Sequence, residues 1–338
     1  MTTSNSTAPA PEHPFAPFVR ILGKGKSGSR SLSRAEARQA FSMILLGEAE
    51  PLQVGAFLML LRVKEETAEE LAGFVEACRD NMLAPPATLK ADLDWSSYAG
   101  KKHQHPWYLL SMLLLAGAGY RVFVHGSAGH TPQRLYTQSA LQALGVATAA
   151  SWSDVGGQLD SSNFSYLPLQ SFCPALQELI QLRPLLGLRS PVNTLTRMLN
   201  PLRAQASLQS IFHPAYASLH QQTDRLLGQP QALVFKGESG EVEIKPQADT
   251  RGHLLSADSM QELTMERSIS SRVPDVATPD VAAIRALWRE EQDNHYGLQA
   301  TLATAAAGLL VLRPALDWQQ AQEQAAQLWQ QRNRQRLD

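Results

Sequence analysis

The chain has 338 residues, of which 44% are hydrophobic, and its 30 lysines and arginines stand against 31 aspartates and glutamates, giving a formal net charge of −1. That is enough apolar material for a sizeable core in two domains, or in one large domain with an appendage, and it excludes polyanion binding through a global positive excess. Any polyanion site must come from cations segregated onto one face.

Residues 1–17, MTTSNSTAPAPEHPFAP, have no basic segment followed by an apolar core and are read as a short disordered head. No run reaches the ~18 uncharged apolar residues of a membrane span, so no membrane partner is expected. Cys78 and Cys173 lie far apart without metal-ligand or CxxC spacing. This excludes a disulfide scaffold and a thiolate zinc site, and the chain is expected to be soluble and cytoplasmic.

The segment 18–88 reads as a helical domain. Ser33 with Glu36 three positions on is a capping-box spacing, and Phe41, Ile44 and Leu45 follow on one apolar face. Gly47 stops that helix. PLQVGAFLMLLRVK opens with Pro51 at a helix N-terminus and is apolar on several sides, as expected for burial against other helices or a second subunit. Thr67 with Glu70 repeats the capping signature before LAGFVEACRDNM. LAPPATLKADLD then acts as a linker, because its consecutive prolines end the helix.

Residues 89–338 alternate between helical and strand patterns. WYLLSMLLLAGAG, TPQRLYTQSALQALG, PALQELIQLRPLLG and ASLHQQTDRLLG read as helices, and YRVFVHG, YLPL, SLQSIF and ALVFKG as strands. Strands separated by helices of this length imply βαβ units and a mostly parallel sheet. GEVEIKPQ is a further candidate strand, and the tail from Pro279 returns to helix. The predicted fold class is α/β: a small N-terminal all-α bundle followed by a larger α/β domain.

The densest basic stretch is RILGKGKSGSRSLSRAEAR, in which Arg20, Lys24, Lys26, Arg30, Arg34 and Arg38 face the single acid Glu36. Its glycines and serines let backbone N–H groups and hydroxyls join the cations in reaching phosphates. Lys101 and Lys102 precede an expected helix N-terminus, where the dipole already favours an anion. Trp107 and Tyr108, which offer rings for base stacking, lie in an apolar helical run and read as core.

These elements and several stretches resemble the anthranilate phosphoribosyltransferase family. The carriers are LLGEAEPLQVGAFLMLLRVKEETAEELAGF, the VHG at 124–126, ALQALGV and LGLRSPVNTLTRMLNP at 186–201. The resemblance implies the nucleoside phosphorylase and phosphoribosyltransferase-like fold. Active members carry a GTGGD loop and an NxST motif for the pyrophosphate of phosphoribosyl pyrophosphate, where this chain reads SYAGKKHQHPWYLL around Gly100. They carry DGLDEI for Mg²⁺, where it reads SGEVEI, with Val242 in the aspartate's place and Glu243 left as a vestigial ligand. Their KHGN is VHGS here, which leaves His125 and Gly126 without the lysine.

Arg189 matches the arginine that contacts the aromatic acid, and Asn193 also matches, while Thr196-Arg197 replaces a Gly-Pro. The resemblance implies a vestigial substrate pocket of Gly100, His125, Gly126, Arg189 and Asn193, with a small-molecule phosphate as a further expected ligand. ILGKGKSGSRSL, SYAGKK, FCPAL, HPAY and GESGEVEIKPQ resemble the divergent branch typified by YbiB, which pairs this fold with sequence-independent nucleic-acid binding. The resemblance therefore implies a homodimer joined through its helical domains, with no catalytic residue, no metal and no cofactor. Its nucleic-acid contacts would come from Arg20, Lys24, Lys26, Arg30, Arg34, Lys101, Lys102, Arg183, Arg197 and Arg203. The alternative is a glycosyl- or phosphoribosyltransferase acting on an unidentified acceptor, with Arg189 orienting that acceptor and Glu243 holding Mg²⁺.

Overall fold

The computed structural model describes residues 11–25, 27–127, 129, 131 and 133–337. The helical part contains α1 (Ala16–Gly23), α2 (Arg34–Leu45), α3 (Pro51–Lys64) and α4 (Ala68–Asn81). Both expected capping boxes form, Ser33 with Glu36 and Thr67 with Glu70, and Pro51 opens α3. Glu70 does more than cap. Buried, it accepts from the Leu32 and Thr67 N–H groups at 2.9 Å each and from Lys64 Nζ at 2.8 Å, tying the α2 approach to α4.

Part of the expected disordered head is structured, because Phe15 is fully buried and packs edge-on against Phe57 with ring centroids 5.4 Å apart. Residues 1–10 lie outside the described residues. The α2–α4 contact is close: a Cβ on Gly73 would collide with the Arg34 carbonyl oxygen and lie 2.8 Å from Ala37 Cβ. Gly73→Ala is therefore expected to push the helices apart and cost about 2 kcal/mol in urea unfolding. A change below the error of the measurement would mean that the pair has room to slide.

The larger part is built on one seven-stranded sheet ordered β3-β2-β1-β4-β5-β6-β7. The parallel strands are β1 (Leu93–Ser97), β2 (Val122–Gly126), β3 (Phe164–Pro168), β4 (Ala206–Ile211) and β5 (Gln231–Lys236). An antiparallel hairpin, β6 (Thr250–Ser256) and β7 (Ser259–Met265), extends the β5 edge. The helix α5 (Tyr108–Gly117) and the helix at His295–Leu312 cover one face and share one core cluster with Trp95, Leu208 and Phe235. His295–Leu312 is long and apolar enough to cross a membrane, but 72% of it is buried in that core.

Strand β1 sits between β2 and β4, so the connections leaving β1 and β4 diverge in opposite directions. The crevice at the carboxyl ends of two such strands is where open α/β sheets hold ligands. The sequence reading lacks α1, β1, the helix Trp152–Ser162 and both arms of the β6–β7 hairpin. β1 carries buried polar residues in LDWSS, the helix Trp152–Ser162 contains Gly156 and Gly157, and the edge strand β7 is almost all exposed, so each of these three lacks a strong periodic signal. GEVEIKPQ forms no strand. Its first residues, with Glu238 and Ser239 before them, make a tight turn in which the Glu241 N–H donates to the Glu238 carbonyl and the Glu238 N–H to that of Glu243.

Candidate functional site

The loop after β1 curves so that its backbone N–H groups face inward, with Gly100 at φ +68°. A Cβ there would press on Arg134 Cβ at 3.1 Å and the Leu135 carbonyl oxygen at 3.3 Å, which is why the position needs glycine. Such a nest of N–H groups binds anions. Here the anion belongs to the chain itself. Glu241 accepts from the N–H of Ala99 at 2.6 Å, the N–H of Gly100 at 2.5 Å and the hydroxyl of Ser97 at 2.7 Å.

Glu243 fills the neighbouring place, accepting at 2.9 Å from the Tyr108 N–H at the α5 N-terminus. Arg134 clamps the loop by donating to the carbonyls of Ala99, Gly100 and Ser239 at 3.0, 2.9 and 3.1 Å.

Lys101, expected to meet phosphates, is fully buried, and its ammonium lies between Glu238 and Glu243, 2.5 Å from the latter. Burial pulls its pKa down, but the two carboxylates outweigh this and leave it above the ordinary lysine value. Burial likewise raises both Glu241 and Glu243, the latter against the pull of Lys101. The site thus carries an internal cation beside internal anions. A divalent ion does not fit these residues, since Glu243 has both oxygens engaged and an ammonium already fills the space between the carboxylates. Among the described residues no group of three or more His, Cys, Asp or Glu is placed to hold a metal.

Arg197 is also diverted from its expected role. Its buried guanidinium donates to the carbonyls of Ser210 at 2.5 Å and Gly240 at 2.9 Å, bracing the turn that carries Glu241, and burial lowers its pKa to about 10. Arg197 and the turn that carries Glu241 are thus parts of one arrangement. His125 and Gly126 lie on β2, inside the sheet. His125 Nδ1 meets the Tyr98 hydroxyl at 2.7 Å, and a Cβ on Gly126 would collide with the Ser97 carbonyl oxygen. Trp107 and Tyr108 are fully buried, as the sequence reading expected.

The basic N-terminal stretch is largely neutralised. Arg20 pairs with Glu12, Arg30 makes two 2.7 Å bonds to Glu36, Arg34 bonds Glu76 at 2.5 Å and Arg38 pairs with Asp80. Lys24 is exposed and has no ion pair among the described residues, Arg203 lies near Asp80 and Glu76, and Lys26 lies outside the described residues.

Cations without an acidic partner among the described residues gather instead around the crevice. Arg62 reaches only the Tyr216 hydroxyl, at 3.3 Å, and Arg183 only that of Thr131, at 3.1 Å. Arg189 is lowered from the usual arginine pKa first by burial and then by the nearby charges of Arg183 and Arg134. With Asn193, Phe212, His213 and His220, Arg62 and Arg189 line a small open cleft of about 100 Å³. Sequence reading missed Arg62, Lys236 and Lys245, which are scattered singly along the chain and meet only in the fold.

At the cleft floor His220 Nδ1 bonds Gln209 Oε1 at 2.8 Å, and the Gln209 amide donates to Asp224 at 3.0 Å. Because a glutamine oxygen only accepts, His220 carries its proton on Nδ1.

Residues 18–82 match the helical bundle domain of the glycosyl transferase family, and residues 109–331 match that family's a/b domain. The chain is 28% identical over 275 residues to the uncharacterized protein YbiB of Escherichia coli K12, covering 80% of this chain and 85% of that one. It is 30% identical over 312 residues to an anthranilate phosphoribosyltransferase of Rhizobium meliloti, covering 89% of each. In structure it resembles the anthranilate phosphoribosyltransferase of Thermus thermophilus with a TM-score of 0.78 at 23% identity, over 92% of this chain and 94% of that one. The bundle, the sheet and these likenesses together make the chain a member of the anthranilate phosphoribosyltransferase-like group of the glycosyl transferase family.

Proposed function

We propose that the chain uses this transferase fold to hold the phosphate backbone of nucleic acid across the crevice rim, without reading sequence. The observation that carries the reading is the exchange of roles at the crevice. The N–H nest that would take a diphosphate is filled by Glu241, with Glu243 on the neighbouring α5 N-terminus, while Arg62, Arg189, Lys102, Lys236 and Lys245 line hollows around the crevice without an ion pair among the described residues. Both cysteines are buried thiols, which suits a reducing cytoplasm. The exposed Leu52 and Val63 of α3, with Leu185 nearby, suit a homodimer formed through the helical domains.

Anisotropy of labelled single-stranded DNA at several salt concentrations tests the reading. About six neutralised phosphates predict an affinity loss on the order of 10³ between roughly 50 and 200 mM salt. A flat salt response, or no binding at low salt, overturns it.

A second reading, glycosyl or phosphoribosyl transfer to an unidentified acceptor, is favoured by the relatives named as anthranilate phosphoribosyltransferases and by the open cleft that Arg189 and Asn193 line together. It requires Glu241 and Glu243 to leave the nest. Calorimetry with phosphoribosyl pyrophosphate and Mg²⁺ separates the two: millimolar ligand should give no heat if the nest stays filled, and saturable heat would make transfer the better reading.

A further inference from the structure

The segment that follows β4 carries a half-exposed aromatic ring. Phe212 is 47% exposed, although phenylalanine is among the residues most often buried. Its ring lies edge-on to His213 with centroids 5.0 Å apart and beside Gly240 of the turn that carries Glu241. It therefore stands at the carboxyl end of β4, on the rim of the crevice.

Cations flank it on both sides. On one side is the cleft of Arg62 and Arg189. On the other is a second groove between the start of the helix Tyr216–Leu226 and the hairpin, lined by Lys236, Lys245, Arg251 and His253. Ile211, next to Phe212, borders both hollows, so they run along the two flanks of one ridge.

The charges in the second groove are largely unspent. Lys236 and Lys245 have no hydrogen-bond or ion-pair partner among the described residues. Arg251 meets Glu262 only at 3.8 Å, with both side chains more than half exposed. The acids of that groove are engaged elsewhere, Glu238 with Lys101 and Asp249 with the Arg267 N–H at 3.1 Å.

An exposed ring between two cation-lined hollows matches a strand whose phosphates run into both hollows and whose base lies on the ring. Base–aromatic stacking of this kind is indifferent to sequence but requires a base free of its duplex stack. We infer that Phe212 is a stacking platform for an unpaired nucleobase, and that the bound strand crosses it from the Arg62–Arg189 cleft into the Lys236–Lys245 groove. This rests on the nucleic-acid reading above and narrows the partner to single-stranded segments.

The experiment compares the full-length wild-type chain with Phe212→Ala and Phe212→Trp, using a labelled oligothymidine and a labelled abasic strand of the same length. Phe212→Ala is expected to weaken oligothymidine binding about tenfold and leave the abasic strand unchanged, while Phe212→Trp restores wild-type affinity. Because the ring is exposed, thermal unfolding of both variants should match wild type. Equal affinity of Phe212→Ala and wild type for oligothymidine, or equal losses on both strands, overturns the platform while leaving phosphate binding intact. Failure of the wild type to bind either strand at low salt overturns the nucleic-acid reading itself.

A Lys236→Gln/Lys245→Gln double variant should reduce the salt slope by about two. An unchanged slope removes the second groove from the path.

Discussion

Replacing Lys101 with methionine is expected to lower the unfolding free energy by about 3–5 kcal/mol, the cost of leaving buried charges uncompensated. The ammonium is fully buried, and in wild type it stands between Glu238 and Glu243 with no water-exposed route to another partner. Without it, two carboxylates face each other in a low-dielectric space. The deficit should shrink as the pH is lowered, because Glu243, already held above the ordinary carboxylate range by burial, then takes up a proton. Adding Glu238→Gln and Glu243→Gln to Lys101→Met should recover most of the loss at about pH 7.5.

Urea unfolding at about pH 5 and 7.5 checks each arm, and a loss below about 1 kcal/mol for Lys101→Met would show that solvent reaches the site and shields the pair. The same experiment bears on function. Lys101 between two carboxylates, and Glu241 with three hydrogen bonds from the loop after β1, leave the crevice satisfied from within.

The sequence makes the helical bundle and the parallel strands β2 to β5 legible, because capping boxes, proline starts and uninterrupted apolar runs are local signals. It also shows that the loop after β1 holds a single glycine, Gly100. It hides what fills the space inside that loop. Glu241 and Glu243 look like remnants of a magnesium motif when read along the chain, and Lys101 looks like a surface cation at a helix start. Only the 142-residue separation closed by the Lys101–Glu243 pair turns them into one buried cluster.

The basic run from Arg20 to Arg38 misleads for the same reason. Glu76 and Asp80, which silence Arg34 and Arg38, lie 42 residues away on α4, so a local tally finds only Glu36. The cations that line the hollows around the crevice come from single positions on α3, on the loop after β1 and at the end of β5, where nothing in their sequence neighbours marks them.

Asp224→Asn and His220→Gln are expected to change the pH dependence of stability in opposite directions. Burial raises the Asp224 carboxyl to about 7 from an ordinary 3.8, so the folded state keeps the proton that the unfolded state releases. Its contribution is fully present below about pH 4 and is lost as the pH rises through 7. Burial, with Arg197 nearby, lowers His220 to about 3 from 6.5, so the folded state refuses a proton that the unfolded state accepts. Its contribution is present above pH 6.5 and is lost as the pH falls through 3.

Over the range that both span, about pH 4 to 6.5, the slopes oppose each other at about 1.4 kcal/mol per pH unit apiece, and wild-type stability should be nearly flat with respect to this pair. Asp224→Asn keeps the bond from Gln209 and leaves the histidine slope exposed, so stability should rise by about 3–4 kcal/mol from about pH 4 to 6.5. His220→Gln leaves the aspartate slope, and stability should fall by a similar amount from about pH 4 to 7. Unfolding midpoints taken at half-unit steps distinguish these outcomes. Parallel curves for both variants and wild type would mean that water enters the Gln209 relay and that the cleft floor is not the dry, fixed-tautomer surface its hydrogen bonds describe.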